Sequence, residues 1–204
     1  MKVKICGITN IEDALLAEQL GADAIGFIFY KPSKRYISPG DAKLILQKLS
    51  PFTLKVGVFV NETADDINRV ASEVKLNLIQ LHGNEKPELI SSLVLPAIKS
   101  FRISEVFDFS ILNKYPAMSF LFDTFSKDEF GGTGKSFDWN MIPSTIREKS
   151  IIAGGITSAN VEEIITKINP YAIDVSSSLE ESPGKKNSNK MTNLFKIINQ
   201  SRSK

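Results

Sequence analysis

The feature that most constrains this chain is an alternation. Eight short apolar runs are separated by longer amphipathic stretches, and the pair recurs about every 25 residues along 204 residues. The runs are Val3–Ile5, Ala24–Phe29, Leu54–Val60, Leu76–Leu81, Ala97–Phe101, Ser119–Asp123, Ser150–Ala153 and Ala172–Val175. Most are continuously apolar, the pattern of strands buried on both faces of a parallel sheet. Between them, apolar residues recur at helical spacing. Ala42, Ile45, Leu46 and Leu49 form one stripe, and Ile67, Val70, Ala71 and Val74 another. Val161, Ile164, Ile165 and Ile168 form a third, and Met191, Leu194, Phe195 and Ile198 a fourth. Two stretches fit less well. The stripe near Val106–Leu112 is weak, and Pro143 interrupts the helix expected from about Trp139. Asn10, with Asp13 three residues on, predicts a cap for the first helix, and Gly21 marks its end. Thr157 or Ser158 predicts the start of the seventh.

Eight strand–helix units predict an α/β fold, a single (β/α)8 TIM barrel spanning residues 1–204 with no linker or second domain. A doubly wound open sheet shares the alternation, but eight apolar strands favour closure. The longest irregular stretch, Thr124–Phe137, holds Gly131, Gly132 and Gly134. In a barrel such a loop is often a mobile lid.

Composition narrows the function. A formal net charge of +2 gives no reason to expect a nucleic-acid or membrane partner. Cys6 is the one cysteine, so no intrachain disulfide forms, which suits a cytoplasmic location. His82 is the one histidine, which rules out a multi-His metal site and Cys/His zinc spacing. MKVKICGITN lacks the apolar core of a signal peptide. No apolar run approaches the roughly 20 residues of a membrane span.

Barrel active sites lie at the C-terminal ends of the strands. There the first strand ends in Cys6, and the second runs into Lys31-Pro32-Ser33-Lys34-Arg35. The third ends in Asn61, the fourth in Gln80 and His82, and the sixth in Asp123. The seventh ends in Gly154-Gly155, and the eighth in Asp174 followed by Ser176–Ser178. Loops after strands seven and eight commonly bind phosphate in this fold. Gly154-Gly155 allows close backbone approach, and Ser176–Ser178, leading into a turn at Leu179–Glu181, offers further N–H donors. The plainer reading is that the glycines only make tight turns. Gly131-Gly132-Thr133-Gly134-Lys135-Ser136 looks like a nucleotide-binding P-loop, but the required first glycine is Glu129.

Cys6 and Asp123 are the candidates for chemistry. A carboxyl titrates near 3.9 and a thiol near 8.5 (both about) in the absence of perturbation. Desolvation at the barrel mouth would raise the Asp, making Asp123 a general acid and Cys6 a thiolate base. By position alone, Cys6 is equally a buried structural thiol and Asp123 equally a turn residue or cap. His82 alone reads as a packing residue. Arg35, beside Lys31 and Lys34, reads as a solvated charge.

KICGIT (Lys4–Thr9), GADAIGFIFYKPSKRYIS (Gly21–Ser38), VGVFVN (Val56–Asn61) and QLHGNE (Gln80–Glu85) resemble blocks of the phosphoribosylanthranilate isomerase family. So do FDTF (Phe122–Phe125), GGTGKSFDW (Gly131–Trp139), AGGIT with NV (Ala153–Val161) and DVSSSLEESPGKK (Asp174–Lys186). The blocks stand in family order over nearly the whole chain. The resemblance implies an Amadori rearrangement of N-(5-phosphoribosyl)anthranilate in tryptophan biosynthesis, without cofactor or metal. It implies Asp123 as general acid, Cys6 as general base, and Arg35 as the residue that holds the anthranilate carboxylate. The backbones at Gly154, Gly155, Ser177 and Ser178 match the phosphate cradle, and His82 and Asp174 match pocket residues. The implied partner is a small phosphorylated substrate, with transient contact to neighbouring tryptophan-pathway enzymes. One departure is Ser178, where the family usually has glycine. A positive φ there would strain a serine.

Three rivals remain. A metal-dependent sugar-phosphate epimerase would want several His and Asp ligands. An indole-glycerol-phosphate synthase would use a catalytic lysine at a strand end, and none stands out. A non-catalytic phosphometabolite sensor would keep the phosphate loops without needing both Cys6 and Asp123.

Overall fold

Eight parallel strands close into a barrel in the computed structural model, which describes residues 1–124 and 138–202. The strands are β1 (Lys2–Cys6), β2 (Ala24–Ile28), β3 (Leu54–Phe59), β4 (Leu78–Leu81), β5 (Ala97–Ile103), β6 (Ser119–Thr124), β7 (Ser150–Ile152) and β8 (Ala172–Val175). Each pairs with its sequence neighbours, and β8 returns to β1 with Lys4 opposite Asp174. Every apolar run in the sequence therefore became a strand, within a few residues at its ends, and the open-sheet alternative is overturned by the β1–β8 pairing.

Side chains alternate along each strand, and the alternation sorts them into two apolar clusters. The larger lies between sheet and helices and includes Ile5, Phe27, Ile79, Phe122, Ile152 and Ile173. The smaller fills the barrel interior with Ile98, Leu121, Ile151, Ala153 and Ala172. The interior parity on β1 belongs to Lys4 and Cys6, on β6 to Asp123 and on β8 to Asp174. Polar groups sit on an otherwise apolar inner face.

Three of the four apolar stripes become α-helices of eight residues or more, and the stripe at Val161–Ile168 does not. Helix α1 (Ile11–Leu20) is capped by Asn10, whose Oδ1 accepts from the Asp13 N–H at 2.8 Å, and it ends at Gly21 with φ 105°. Helices α2 (Pro39–Leu46) and α3 (Ala64–Val74) follow β2 and β3, and α3 buries all four residues of its stripe. Helix α4 (Pro87–Ser91) is short. After β5 the weak stripe gives only a 3-10 turn, Phe109–Lys114. The helix expected from Trp139 becomes a 3-10 turn, Trp139–Met141, then α5 (Ser144–Arg147) just past Pro143. A proline cannot donate to the preceding turn, so the interruption follows from the residue. Thr157 opens the seventh helical segment as expected, its Oγ1 accepting from the Ala159 N–H at 3.2 Å and its carbonyl from the Val161 N–H at 3.0 Å. Asn160 precedes α6 (Val161–Glu163), which runs on through a π turn, Ile164–Ile168.

Past β8, a 3-10 turn occupies Ser177–Leu179, earlier than the turn expected at Leu179–Glu181. A small hairpin follows, β9 (Glu180–Ser182) and β10 (Lys185–Lys186). Helix α7 (Ser188–Arg202) closes the ring, burying Met191, Leu194, Phe195 and Ile198. The glycine-rich stretch with the lid expectation and the P-loop-like pattern lies, from residue 125 to 137, outside the described residues. No helix among the described residues is long and apolar enough to cross a membrane.

Candidate active site

Cys6, Arg35, Gln80, His82, Asp123, Gly154, Gly155, Asp174 and Ser176–Ser178 line one cleft at the C-terminal mouth of the barrel, whereas Asn61 does not. Cys6 enters from β1 and Asp123 from β6, with β7 and β8 between them in the ring. The parity of the strands puts both inside.

Asp123 is held firmly. Its Oδ1 accepts from the Thr124 N–H at 2.7 Å. Its Oδ2 stands 3.6 Å from His82 Nε2. Gln80 Nε2 lies 3.0 Å from His82 Nδ1, and with the amide donating, the ring hydrogen sits on Nε2, facing Asp123. His82 is thus fixed by its neighbour on β4 and stands beside the Asp123 carboxylate at the barrel mouth. Gly154, with φ 82°, wraps the loop after β7 against the same carboxylate. A Cβ there would lie 2.8 Å from Asp123 Oδ1 and 2.2 Å from Thr124 Oγ1. Glycine is needed both for the backbone angle and for the space, so this glycine does more than make a tight turn.

Ser178 departs from expectation in two ways. The non-glycine residues with positive φ among the described ones are Asn61, Lys75 and Asn169, so Ser178 carries no such strain. Its hydroxyl donates to the Ile156 carbonyl and so ties the loop after β8 to the loop after β7. Ser176 Oγ donates to the Cys6 carbonyl at 3.1 Å, fastening the end of β1 to the same loop. Gly154, Gly155, Ser177 and Ser178 thus come together as two joined loops on one wall of the cleft.

Arg35 is no solvated charge. Its side chain is 15% exposed and its fork grips Glu180, Nε to Oε1 at 2.8 Å and Nη2 to Oε2 at 2.8 Å. Lys186 Nζ donates to the same Oε1 at 2.9 Å. Burial pushes the Glu180 carboxyl up, but the hydrogen bonds and charges of Arg35 and Lys186 outweigh it and hold Glu180 below its ordinary range. The same burial pushes the Lys186 amine down from its ordinary value despite Glu180. The guanidinium plane is thereby fixed at the rim of the cleft.

Cys6 is less ready than the sequence suggested. Burial pushes its thiol above the ordinary range, against the charge and hydrogen bond of Lys4. Lys4 is itself buried and donates to Asp174 Oδ2 at 2.9 Å. The other carboxylate oxygen, Asp174 Oδ1, has no hydrogen-bond partner among the described residues.

The sequence reading missed Lys4, Gln80 as the orienter of His82, Glu180 and Lys186. Glu180 and Lys186 sit in the DVSSSLEESPGKK block, but only the hairpin brings them to Arg35. Two strand lysines, unremarked in the sequence, are buried in the barrel. Lys4 pairs with Asp174, and Lys99 with Glu85 at 2.9 Å. Both are engaged in buried ion pairs.

The arrangement can move protons at two points across one cleft, with amide-lined loops nearby for an anion and a fixed guanidinium at the rim. Comparisons with known proteins point the same way. The model of the family described as N-(5'phosphoribosyl)anthranilate (PRA) isomerase matches residues 3–197. The N-(5'-phosphoribosyl)anthranilate isomerase of Pelobacter propionicus is 40% identical over 204 residues, all of this chain and 98% of that protein. That of Thermotoga maritima is 47% identical over 190 residues, 91% of this chain and 92% of that one. The crystal structure of the Thermotoga maritima phosphoribosyl anthranilate isomerase superposes with a TM-score of 0.88 at 42% identity, covering 98% of this chain and 99% of that one. A phosphoribosyl anthranilate isomerase solved in complex with reduced 1-(o-carboxyphenylamino)-1-deoxyribulose 5-phosphate superposes with a TM-score of 0.87 at 41% identity, with the same coverage.

Proposed function

Because the chain belongs to the N-(5'-phosphoribosyl)anthranilate isomerase family, we propose that Asp123 and Cys6 are the general acid and general base of its reaction. That reaction is the Amadori rearrangement of N-(5'-phosphoribosyl)anthranilate to 1-(2-carboxyphenylamino)-1-deoxy-D-ribulose 5-phosphate, an aldose–ketose isomerisation in tryptophan biosynthesis. The observation that carries the assignment is the entry of Cys6 and Asp123 into one cleft from two strands separated by β7 and β8.

The protonated Asp123 gives its proton to the ribose ring oxygen, the C1–O bond breaks, and the amine nitrogen supplies the electrons for a Schiff base. The Cys6 thiolate then takes the proton from C2, leaving an enolamine. Tautomerisation places a proton on C1 and removes one from the C2 hydroxyl, giving the ketone and resetting both groups. Hydrogen has moved within the substrate, so the sequence balances without an oxidant or reductant.

Arg35, its guanidinium fixed in orientation by Glu180 through Nε and Nη2, presents a cation suited to the anthranilate carboxylate. The backbones of Gly154, Gly155, Ser177 and Ser178 receive the phosphate. His82 orients Asp123, and Asp174 Oδ1 offers an acceptor to the sugar. Residues 1–204 act as one domain in this reading. Cytoplasmic location and transient contact with neighbouring pathway enzymes belong to the same proposal and rest on the family alone.

The test is a fluorescence assay with freshly made phosphoribosylanthranilate and purified protein in EDTA. Turnover without added metal is expected. Activity abolished by EDTA and restored by a divalent metal would overturn the acid–base account.

A further inference from the structure

A base that must be a thiolate sits where burial opposes its charge, and something must offset that burial. Lys4 stands two residues before Cys6 on the same face of β1. Opposite them on β2 is Gly26, paired in register with Cys6. A Cβ on Gly26 would meet Cys6 Sγ at 2.8 Å, Lys4 Cε at 2.9 Å and Lys4 Nζ at 3.1 Å. The thiol and the ammonium thus share the space left by one missing side chain. Lys4 is 4% exposed, and Asp174, its partner at 2.9 Å, is 8% exposed.

Packing does not require this pair. The same inner face carries Ile98, Leu121, Ile151 and Ala172. A buried ion pair is generally no more stabilising than well-packed apolar residues of the same volume. A charge kept in such a place calls for a use. We propose that Lys4 is a positioning residue for the isomerisation: its ammonium, anchored by Asp174, stabilises the thiolate form of Cys6 that takes the C2 proton.

The other charged groups around Cys6 fit this assignment. Asp174 on β8 opposes the thiolate, and Lys186 on β10 favours it. Lys186 is committed to Glu180, as is Arg35. His82 and Asp123 face Cys6 across the cleft. Of the two lysines on Cys6's own strand, Lys2 is exposed and paired with Asp23, whereas Lys4 is buried, and its amine is held above its ordinary value because Asp174 and Cys6 outweigh the burial that would lower it.

The inference rests on Cys6 being the base, and its test separates the two claims. Cys6 is the one cysteine, so the rate of alkylation by iodoacetamide against pH titrates it alone. In Lys4→Met the midpoint should rise by about one unit or more, a roughly tenfold loss of thiolate at neutral pH. Lys4→Gln keeps a hydrogen-bond donor for Asp174 without the charge. It should rise likewise, and it serves if Lys4→Met does not fold. Lys4→Arg, which restores a cation, should return the midpoint toward wild type. The acid limb of the kcat/KM profile should shift with the thiol, so that activity recovers as pH is raised. An unchanged thiol midpoint in both neutral variants would make Lys4 merely structural and overturn the proposal. A shifted midpoint with an unmoved kcat/KM limb would show instead that Cys6 is not the base.

Discussion

His82 Nε2 stands 3.6 Å from Asp123 Oδ2, while Asp123 Oδ1 is already engaged by the Thr124 amide. The carboxyl is therefore anchored through Oδ1, while Oδ2 faces the His82 ring at a distance longer than a hydrogen bond. The relationship also assigns His82 a limited role, because the Thr124 contact survives without it.

His82→Ala should accordingly lower kcat by about tenfold, equivalent to 1.4 kcal/mol, and leave KM within a few-fold. Steady-state kinetics decides this. A loss as deep as that of Asp123→Asn would make His82 a proton-transfer group in its own right.

Gly154→Ala should be far more damaging than a methyl group suggests. The positive φ costs about 1–3 kcal/mol in stability, and the new Cβ collides with Asp123 and Thr124. We expect a kcat/KM loss of about 10²-fold or more, because the Asp123 carboxyl is displaced. Near-wild-type kinetics would mean that the loop after β7 does not set the position of Asp123.

Glu180→Gln removes the carboxylate that holds Arg35 and Lys186. Leaving Lys186 buried without its partner should cost about 3–5 kcal/mol, and KM should rise as Arg35 loses its fixed plane. The pH dependence has a definite sign. The folded carboxyl titrates below its ordinary value of 4.5, so its stabilisation is complete above about that pH and is lost as pH falls through the folded value. Thermal melts over falling pH should show this loss in wild type and lack it in Glu180→Gln. Parallel curves for the two proteins would contradict the assignment.

The barrel was legible in the sequence because strands buried on both faces are written as continuous apolar runs, and Cys6 and Asp123 end two of them. The helix caps at Asn10 and Gly21 were legible for the same local reason. What was not legible depends on closure. The Lys4–Asp174 pair joins the first strand to the last, and Arg35 finds Glu180 through a hairpin 145 positions away in sequence. Neither is a spacing that periodicity records. The short elements after β5 and β6 lack a full apolar stripe, so their 3-10 geometry was hidden behind the expectation of helices.

Ser178→Gly tests the proposed phosphate-binding role of the loop after β8. The hydroxyl serves the Ile156 carbonyl, and the residue bears no positive φ. Removing it should loosen the join between the two loops. Inhibition by inorganic phosphate should weaken, by less than about tenfold or 1.4 kcal/mol, with kcat largely intact. Tighter phosphate inhibition in the variant would show that serine hinders the site.

The central claim is that Asp123 and Cys6 exchange the protons of the rearrangement. Its most direct test is kcat for Cys6→Ala and Asp123→Asn, alongside binding of reduced 1-(o-carboxyphenylamino)-1-deoxyribulose 5-phosphate to each. The account predicts kcat lower by about 10²-fold or more in both variants, with affinity for the analogue held within a few-fold of wild type. A variant that binds the analogue normally and keeps near-wild-type kcat would contradict the account for that residue.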